Sequence, residues 1–390
     1  MKMMNKVLSE RVLLYLVALV WLVTMYRISQ FSDNQYSHVL YEQFINIESP
    51  YDIKFIGNPR FGSVYLRGTM ISKELSKSYP HINQQPPSID DLKTKRFRSH
   101  LCIFIKPGIN MFHIPRDNCK YIAIDVLDME IQSVQQLVHD YGNQTDLFIT
   151  SSKELEIQLN ALGQRAVTIY HQQTNIYNQR IHGDNSRPVK TMSFMTGVSA
   201  NLPSEKALEQ IGYESCSVGV QFFTILYDSV NRKELGKNIT GYGPCSDINS
   251  SDIHSPYKLI TSQNHVEYPE QLYYQDIPFK VDIGILLLPA SNQTFVHKPA
   301  TRLLWWWSHG IPTIFYNYPS YKELAITYNY TLQGQIPVIH NIDEIGKHLR
   351  VLLDSPSERV ELANIGISAS SEFTPSKTSE KYFDLYESLR

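Results

Sequence analysis

The sequence predicts an α/β protein of two doubly wound parallel-sheet domains that face a cleft, with a transmembrane helix ahead of them. Three observations carry that expectation. From Tyr51 onward, short apolar runs of strand length alternate with longer helical stretches, the pattern of parallel strands covered on both faces. A polar stretch with Gly183 and Pro188 interrupts this alternation, which then begins again. A chain of 390 residues is also long enough for two domains that each bury a core. The net charge of -2 gives no sign of a nucleic-acid partner, and 42% hydrophobic against 19% charged residues describes a globular chain beyond its first segment.

The amino terminus places Lys2, Lys6 and Arg11 ahead of the uncharged run Val12 to Tyr26, with Arg27 behind it. A span typically uses about 20 apolar residues, so this run is short, and flanking arginines that snorkel to the interface make up the difference. Basic residues ahead of the run keep the amino terminus cytoplasmic. The expected arrangement is a tail at 1–10, a signal anchor at 11–28 and a stem at 29–50. The expectation is a single-pass type II protein of the Golgi or ER membrane with its remaining chain luminal. A cleaved signal peptide is the alternative, although no small-x-small pattern follows the run. Sequons at Asn143, Asn238, Asn249, Asn292 and Asn329 agree with a luminal glycoprotein. Cys102, Cys119, Cys216 and Cys245 allow three complete pairings, among which the sequence does not choose. Cys102 lies in an apolar strand and reads as a buried thiol. No cysteine spacing suits zinc.

In the first domain, 51–175, strands are expected at Asp52 to Ile56, Leu101 to Ile105, Tyr121 to Val126, Asp146 to Thr150 and Ala166 to Tyr170. Gly57 to Ser63 is a glycine-bearing turn into a helix carrying Val64, Leu66, Met70, Ile71 and Leu75. It lacks a dinucleotide fingerprint. It either presents Arg60 and Ser63 to a ligand or is a plain tight turn. The basic cluster Lys93, Lys95, Arg96 and Arg98 reads as a solvated face. Ser152 caps a helix from Lys153 to Leu162, and Gly163 ends it. Two residues at strand exits are candidate catalytic groups. Asp128 has the chemistry of a base for an acceptor hydroxyl, or of a turn carboxylate. His171 is either a hydrogen-bonding group at the cleft or a hinge histidine.

After a linker at 176–188, the second domain, 189–372, repeats the pattern with Val189 to Met195, a glycine turn at Thr196 to Ser199, a helix at Pro203 to Ile211 opened by Asn201 or Ser204, and Val220 to Leu226. Asp228 to Ser255 reads as a polar surface insertion, followed by Tyr257 to Ile260 and a short helix near Val266 to Tyr274. Next comes the stretch that concentrates the chemistry. Ile283 to Leu288 is a buried strand, Lys298 and Pro299 open a helix, and Leu303, Leu304, Trp306 and Trp307 form its apolar face. Gly310 and Pro312 stop it, Thr313 to Tyr316 is a strand, and Glu323 follows on a loop. A helix start beside Lys298 and Arg302 at a strand's carboxyl end suits an anion such as a diphosphate. Ile336 to Ile339, helices at Ile342 to Leu353 and Ser355 to Ser371, and a tail, 373–390, complete the chain.

Lys298-Pro-Ala-Thr-Arg302-Leu, Trp307-Ser-His-Gly310-Ile-Pro312 and Tyr321-Lys-Glu323-Leu together resemble the donor-binding segment of GT-B glycosyltransferases, in the manner of families 1 and 4. The resemblance implies a GT-B arrangement of two Rossmann-like domains, acceptor side first, with the tail crossing back to the first. It also implies sugar transfer from a nucleotide-sugar donor to a luminal glycan, glycoprotein or glycolipid. By position it carries donor binding to Lys298, Thr301, Arg302 and Glu323, and the second glycine turn, Gly197 and Ser199, is expected to face the nucleotide. His171 and Asn175 match a histidine-rich turn of the family, where Gln172 and Gln173 stand in place of further histidines. The glutamate pair usual in retaining members is replaced here by His297 and Trp305, so the alternative is a catalytically inactive luminal binding or scaffold protein. No Asp-x-Asp is present. The expectation is a metal-independent transferase with no cofactor, in which Lys298, Arg302 and helix amides neutralise the leaving group.

Overall fold

The computed structural model describes residues 51–58, 62–87, 97–106, 116–127, 133–173, 188–196, 203–226, 239–242, 244–245, 281–287 and 298–390. Outside these lie the expected anchor and stem, Arg60, Lys93 to Arg96, Asp128, Asn175, nearly all of the linker, Gly197, Ser199, His297, the sequons at 238, 249 and 292, and the elements expected between 257 and 274. Among the described residues, no helix is long and apolar enough to cross a membrane. Tyr51–Arg390 forms one compact unit.

Two six-stranded sheets organise that unit. The first contains β1 (Tyr51–Ile56), β2 (Gln84–Gln85), β3 (Ser99–Ile105), β4 (Cys119–Asp125), β5 (Leu147–Thr150) and β6 (Ala166–Thr168), in the order β2-β1-β3-β4-β5-β6. All its pairings are parallel. The second contains β7 (Thr191–Thr196), β8 (Gln221–Leu226), β9 (Ile239–Tyr242), β10 (Ile283–Leu286), β11 (Thr313–Tyr316) and β12 (Val338–Ile339), in the order β12-β11-β10-β7-β8-β9. Here β9 runs antiparallel at the edge. It lies inside the segment expected to be a surface insertion, because its short Ile-Thr-Gly-Tyr core is hidden among polar residues.

The helices follow local rules with one exception. α1 is composite, with Gly62–Val64 helical, Tyr65–Met70 in π conformation and Ile71–Ser78 α-helical. A π turn shifts the side-chain phase, so both Leu66 and Arg67 become buried. Ser133 caps α2 (Val134–Tyr141), and Ser152 caps α3 (Lys153–Ala161), which Gly163 ends at a φ of 76°. Ser204 caps α4 (Glu205–Ser217).

α5 (Thr301–Ser308) begins two residues after Pro299, a later start than the sequence suggests. Its side chains from Leu303 to Ser308 are all buried, so the expected single apolar face is an apolar cylinder. Glycines on either side admit its indoles. A Cβ on Gly284 of β10 would sit 2.7 Å from Trp306, and one on Gly366 would sit 3.0 Å from Trp307. Gly366 belongs to α8 (Pro356–Ser370), which follows α6 (Pro319–Thr327) and α7 (Ile345–Asp354).

The final helix, α9 (Pro375–Leu389), lies on the first sheet's side. Its Tyr382, Leu385, Tyr386 and Leu389 share one buried cluster with Ile53, Phe55, Leu101 and Ile103. Two disulfides, Cys102–Cys119 and Cys216–Cys245, bring their Cα atoms within 5.8 and 5.5 Å. Cys102 is therefore a bridge and not a free thiol. Neighbouring β3 and β4 bring Cys119 to the same buried cluster, which a single strand's pattern does not reveal.

Candidate functional site

Lys298 lies in the segment that leads into α5, and Arg302 lies in the first turn of that helix. The carbonyl of Lys298 accepts a 2.6 Å hydrogen bond from Ser320 Oγ, just past the carboxyl end of β11. The Arg302 guanidinium lies 5.8 Å from the ring centre of Phe194 on β7. Both anchors place the helix start at the carboxyl edge of the second sheet. No side chain caps α5, so its first-turn amides are not claimed by a cap. Lys298 is buried although it is a lysine, while Thr301 and Arg302 are half-buried. Tyr318 is buried beside this group, and its hydroxyl finds no hydrogen-bond partner. Burial raises its pKa, and the nearby Arg302 charge works in the opposite direction. These groups form a cationic, donor-rich corner of the kind that accepts phosphate oxygens.

On the other half, His171 follows β6 and is buried with no partner for Nδ1. Burial and the neighbouring Arg67 charge hold its pKa well below the ordinary imidazole value, so the ring is neutral. The next residue, Gln172, donates from Nε2 to the Leu66 carbonyl and leaves Oε1 without a partner. Beneath them lies a buried pair that the sequence reading missed. Arg67 donates from Nε and Nη2 to the two oxygens of Asp125 at 2.8 and 3.2 Å, and from Nη1 to the carbonyls of Ile169 and Tyr170 at 2.9 Å each. Tyr382 of α9 adds a hydroxyl bond of 2.9 Å to Asp125. A signal for this pair was present, because Arg67 stands three residues after Val64 and four before Ile71, inside the apolar stripe.

Glu323 lies on α6, a helix and not the expected loop, and Pro319 at the first turn is the sequence signal for it. Its carboxylate accepts from the backbone amides of Lys153 and Glu154, both at 2.7 Å, and from the Tyr170 hydroxyl at 2.8 Å. In this arrangement the carboxylate is engaged with the first half of the molecule and not with the Lys298 corner. The structure thus gathers Lys298, Thr301 and Arg302 at the entry to α5 and brings in Tyr318 and Ser320. His171 and Glu323 belong to the seam between the halves. Trp305 is fully buried. Among the described residues, no group of three or more His, Cys, Asp or Glu side chains is placed to hold a metal.

No protein-family model and no curated protein sequence matches the chain. Solved structures do. Sucrose-phosphate synthase (tll1590) from Thermosynechococcus elongatus aligns at 10% identity and a TM-score of 0.52, covering 87% of this chain and 99% of that one. A glycosyltransferase from Rickettsia africae ESF-5 aligns at 11% identity and 0.51, covering 88% and 99%. The apo structure of OtsA aligns at 10% identity and 0.51, covering 86% and 99%. The fold is GT-B.

Proposed function

We propose that the chain is a glycosyltransferase that transfers a sugar from a nucleotide-sugar donor to a glycan, glycoprotein or glycolipid acceptor. The observation that carries this reading is the cationic start of α5, where Lys298 and Arg302 stand at the carboxyl edge of the second sheet of a GT-B fold. A departing nucleoside diphosphate gains negative charge as the glycosidic bond breaks. Two cations and uncapped helix amides stabilise that charge without a metal ion. Domains at 51–175 and 189–372 serve acceptor and donor respectively, with Gly197 and Ser199 against the nucleotide. Asp128 is the candidate base for the acceptor hydroxyl. His171, being neutral, can hydrogen-bond substrate oxygens without adding charge.

A luminal setting with a type II anchor at 11–28 is part of the proposal. Its support is the uncharged run Val12 to Tyr26 and two disulfides that use all four cysteines, which suit an oxidising compartment. The sequons Asn143 and Asn329 are both exposed. A second reading, a luminal binding protein without catalysis, is favoured by one feature: Trp305 fills the place of a carboxylate and is wholly buried.

Thermal-shift titration of the protein with UDP-, GDP- and CMP-sugars, followed by a transfer assay for any that bind, separates the two readings. Lys298→Ala is expected to lose at least about tenfold in donor affinity or turnover, since a charge-assisted contact is worth about 1.5 to 3 kcal/mol. Unchanged nucleotide binding in that variant would remove Lys298 from the site.

A further inference from the structure

The Glu323 carboxylate is spent on groups of the opposite half. The amides of Lys153 and Glu154 are the first two of α3, and the third, from Leu155, is already taken by Ser152 Oγ. One helix start is therefore capped by two residues, its own serine and a glutamate from the other half of the molecule. Tyr170 fastens the same carboxylate and packs its ring edge-on to Phe373, with centroids 5.8 Å apart. Phe373 in turn accepts a 2.7 Å hydrogen bond from the Gln173 amide and meets the Tyr328 ring at 5.9 Å. These contacts gather where the chain leaves the first half, at Tyr170 to Gln173, and where it comes back, at Phe373.

We propose that Glu323 is a latch that holds the two halves in register. It is a positioning residue that acts through α3 and Tyr170 rather than by touching the donor. Its kinetic consequence rests on the transferase reading above, and its structural consequence does not. A carboxylate that caps α3 is unavailable to a nucleotide's hydroxyls, so the latch and the donor role expected for Glu323 by resemblance make opposite forecasts.

Amide hydrogen exchange on the full-length protein decides between them, with α2 as the internal reference. Glu323→Ala is expected to speed exchange at Lys153 and Glu154 at least about tenfold and to leave α2 unchanged, because charge-assisted bonds to otherwise open amides are lost. Glu323→Gln, which preserves shape and offers one acceptor oxygen, should fall between. It also remains informative if the alanine variant fails to fold. Lys153→Pro approaches the latch from its other side. It removes one donor amide at a first helical position that tolerates proline, after a Ser152 already extended at φ -149° and ψ 150°. With any donor that binds, Glu323→Gln and Lys153→Pro should both lower kcat severalfold while leaving donor Kd within about twofold, and their combination should cost less than the product of the two. Wild-type exchange rates at Lys153 and Glu154 in both Glu323 variants would overturn the latch, as would a loss of donor affinity without any change in exchange. Should no nucleotide sugar bind even the wild type, the transferase reading fails while the exchange measurement still decides the latch.

Discussion

At the scale of single residues, the most consequential group is one that no motif announces. Arg67 is an arginine on the apolar stripe of a helix, and its five donors are accounted for largely by Asp125 and two backbone carbonyls in a fully buried site. Removing one member of such a pair leaves a buried charge unmatched. Arg67→Ala should therefore lower unfolding free energy by about 3 to 5 kcal/mol, read from urea melts, with Tyr382→Phe costing far less. His309 makes a second residue-scale forecast. Burial holds its pKa down to about 4, against an opposing contribution from its bond to the Trp305 carbonyl. The unfolded chain takes up a proton near pH 6.5 and the folded one only near 4, so this contribution to stability is complete above about 6.5 and lost as pH falls towards 4. The buried ring of His171 acts in the same sense. His309→Asn, which keeps a donor near the Nδ1 position, should flatten the acid limb of the stability profile between pH 7 and 5. An unchanged slope would mean that His309 takes up its proton as readily in the folded state as in the unfolded one.

At the scale of elements, legibility followed how much of each pattern was local. The strands Leu101 to Ile105 and Thr313 to Tyr316, and the helix between Ser152 and Gly163, announce themselves through apolar runs, a cap and a stop within a few residues. The antiparallel β9 and the bridge from Cys102 to Cys119 did not, since each depends on what lies alongside and not on what precedes it in the chain. The same limit hid the role of Glu323, whose partners are separated from it by more than a hundred residues. The Lys298 corner was legible because Lys298, Thr301 and Arg302 lie within five consecutive residues at the entry to one helix. α5 itself is held by complementarity that only the packed structure reveals, with two of its three indoles, Trp306 and Trp307, seated against bare glycine backbone. Gly284→Ala puts a methyl carbon where Trp306 already stands, at 2.7 Å, in the middle of a strand that cannot move alone. A loss of about 1 to 3 kcal/mol in a denaturant melt is expected from such overpacking, together with a changed tryptophan emission. Gly163→Ala, where the added methyl meets nothing within 4 Å, isolates the backbone cost of a φ of 76° for comparison.

For the molecule as a whole, α9 decides whether the first sheet can stand. It carries the last residues of the chain, yet its Tyr382, Leu385, Tyr386 and Leu389 complete the core around Ile53 and Phe55, and Phe383 stacks on Tyr79 at 3.9 Å. Two of its hydroxyls reach carboxylates of the first sheet, Tyr382 to Asp125 and Tyr386 to Asp52, the latter at 2.6 Å. Four large side chains at about 1.5 to 3 kcal/mol each are, when lost together, comparable with the whole stability of a typical domain. Ending the chain after Thr374 should thus abolish cooperative folding of the first half, and should not merely trim an exposed tail. The predicted signature is disordered-type hydrogen exchange across β1 and β3, with the α5 region of the second sheet still protected. A truncated protein that melts as one transition near the full-length midpoint would show instead that the first sheet closes its own core, leaving α9 as an ornament on a self-sufficient domain.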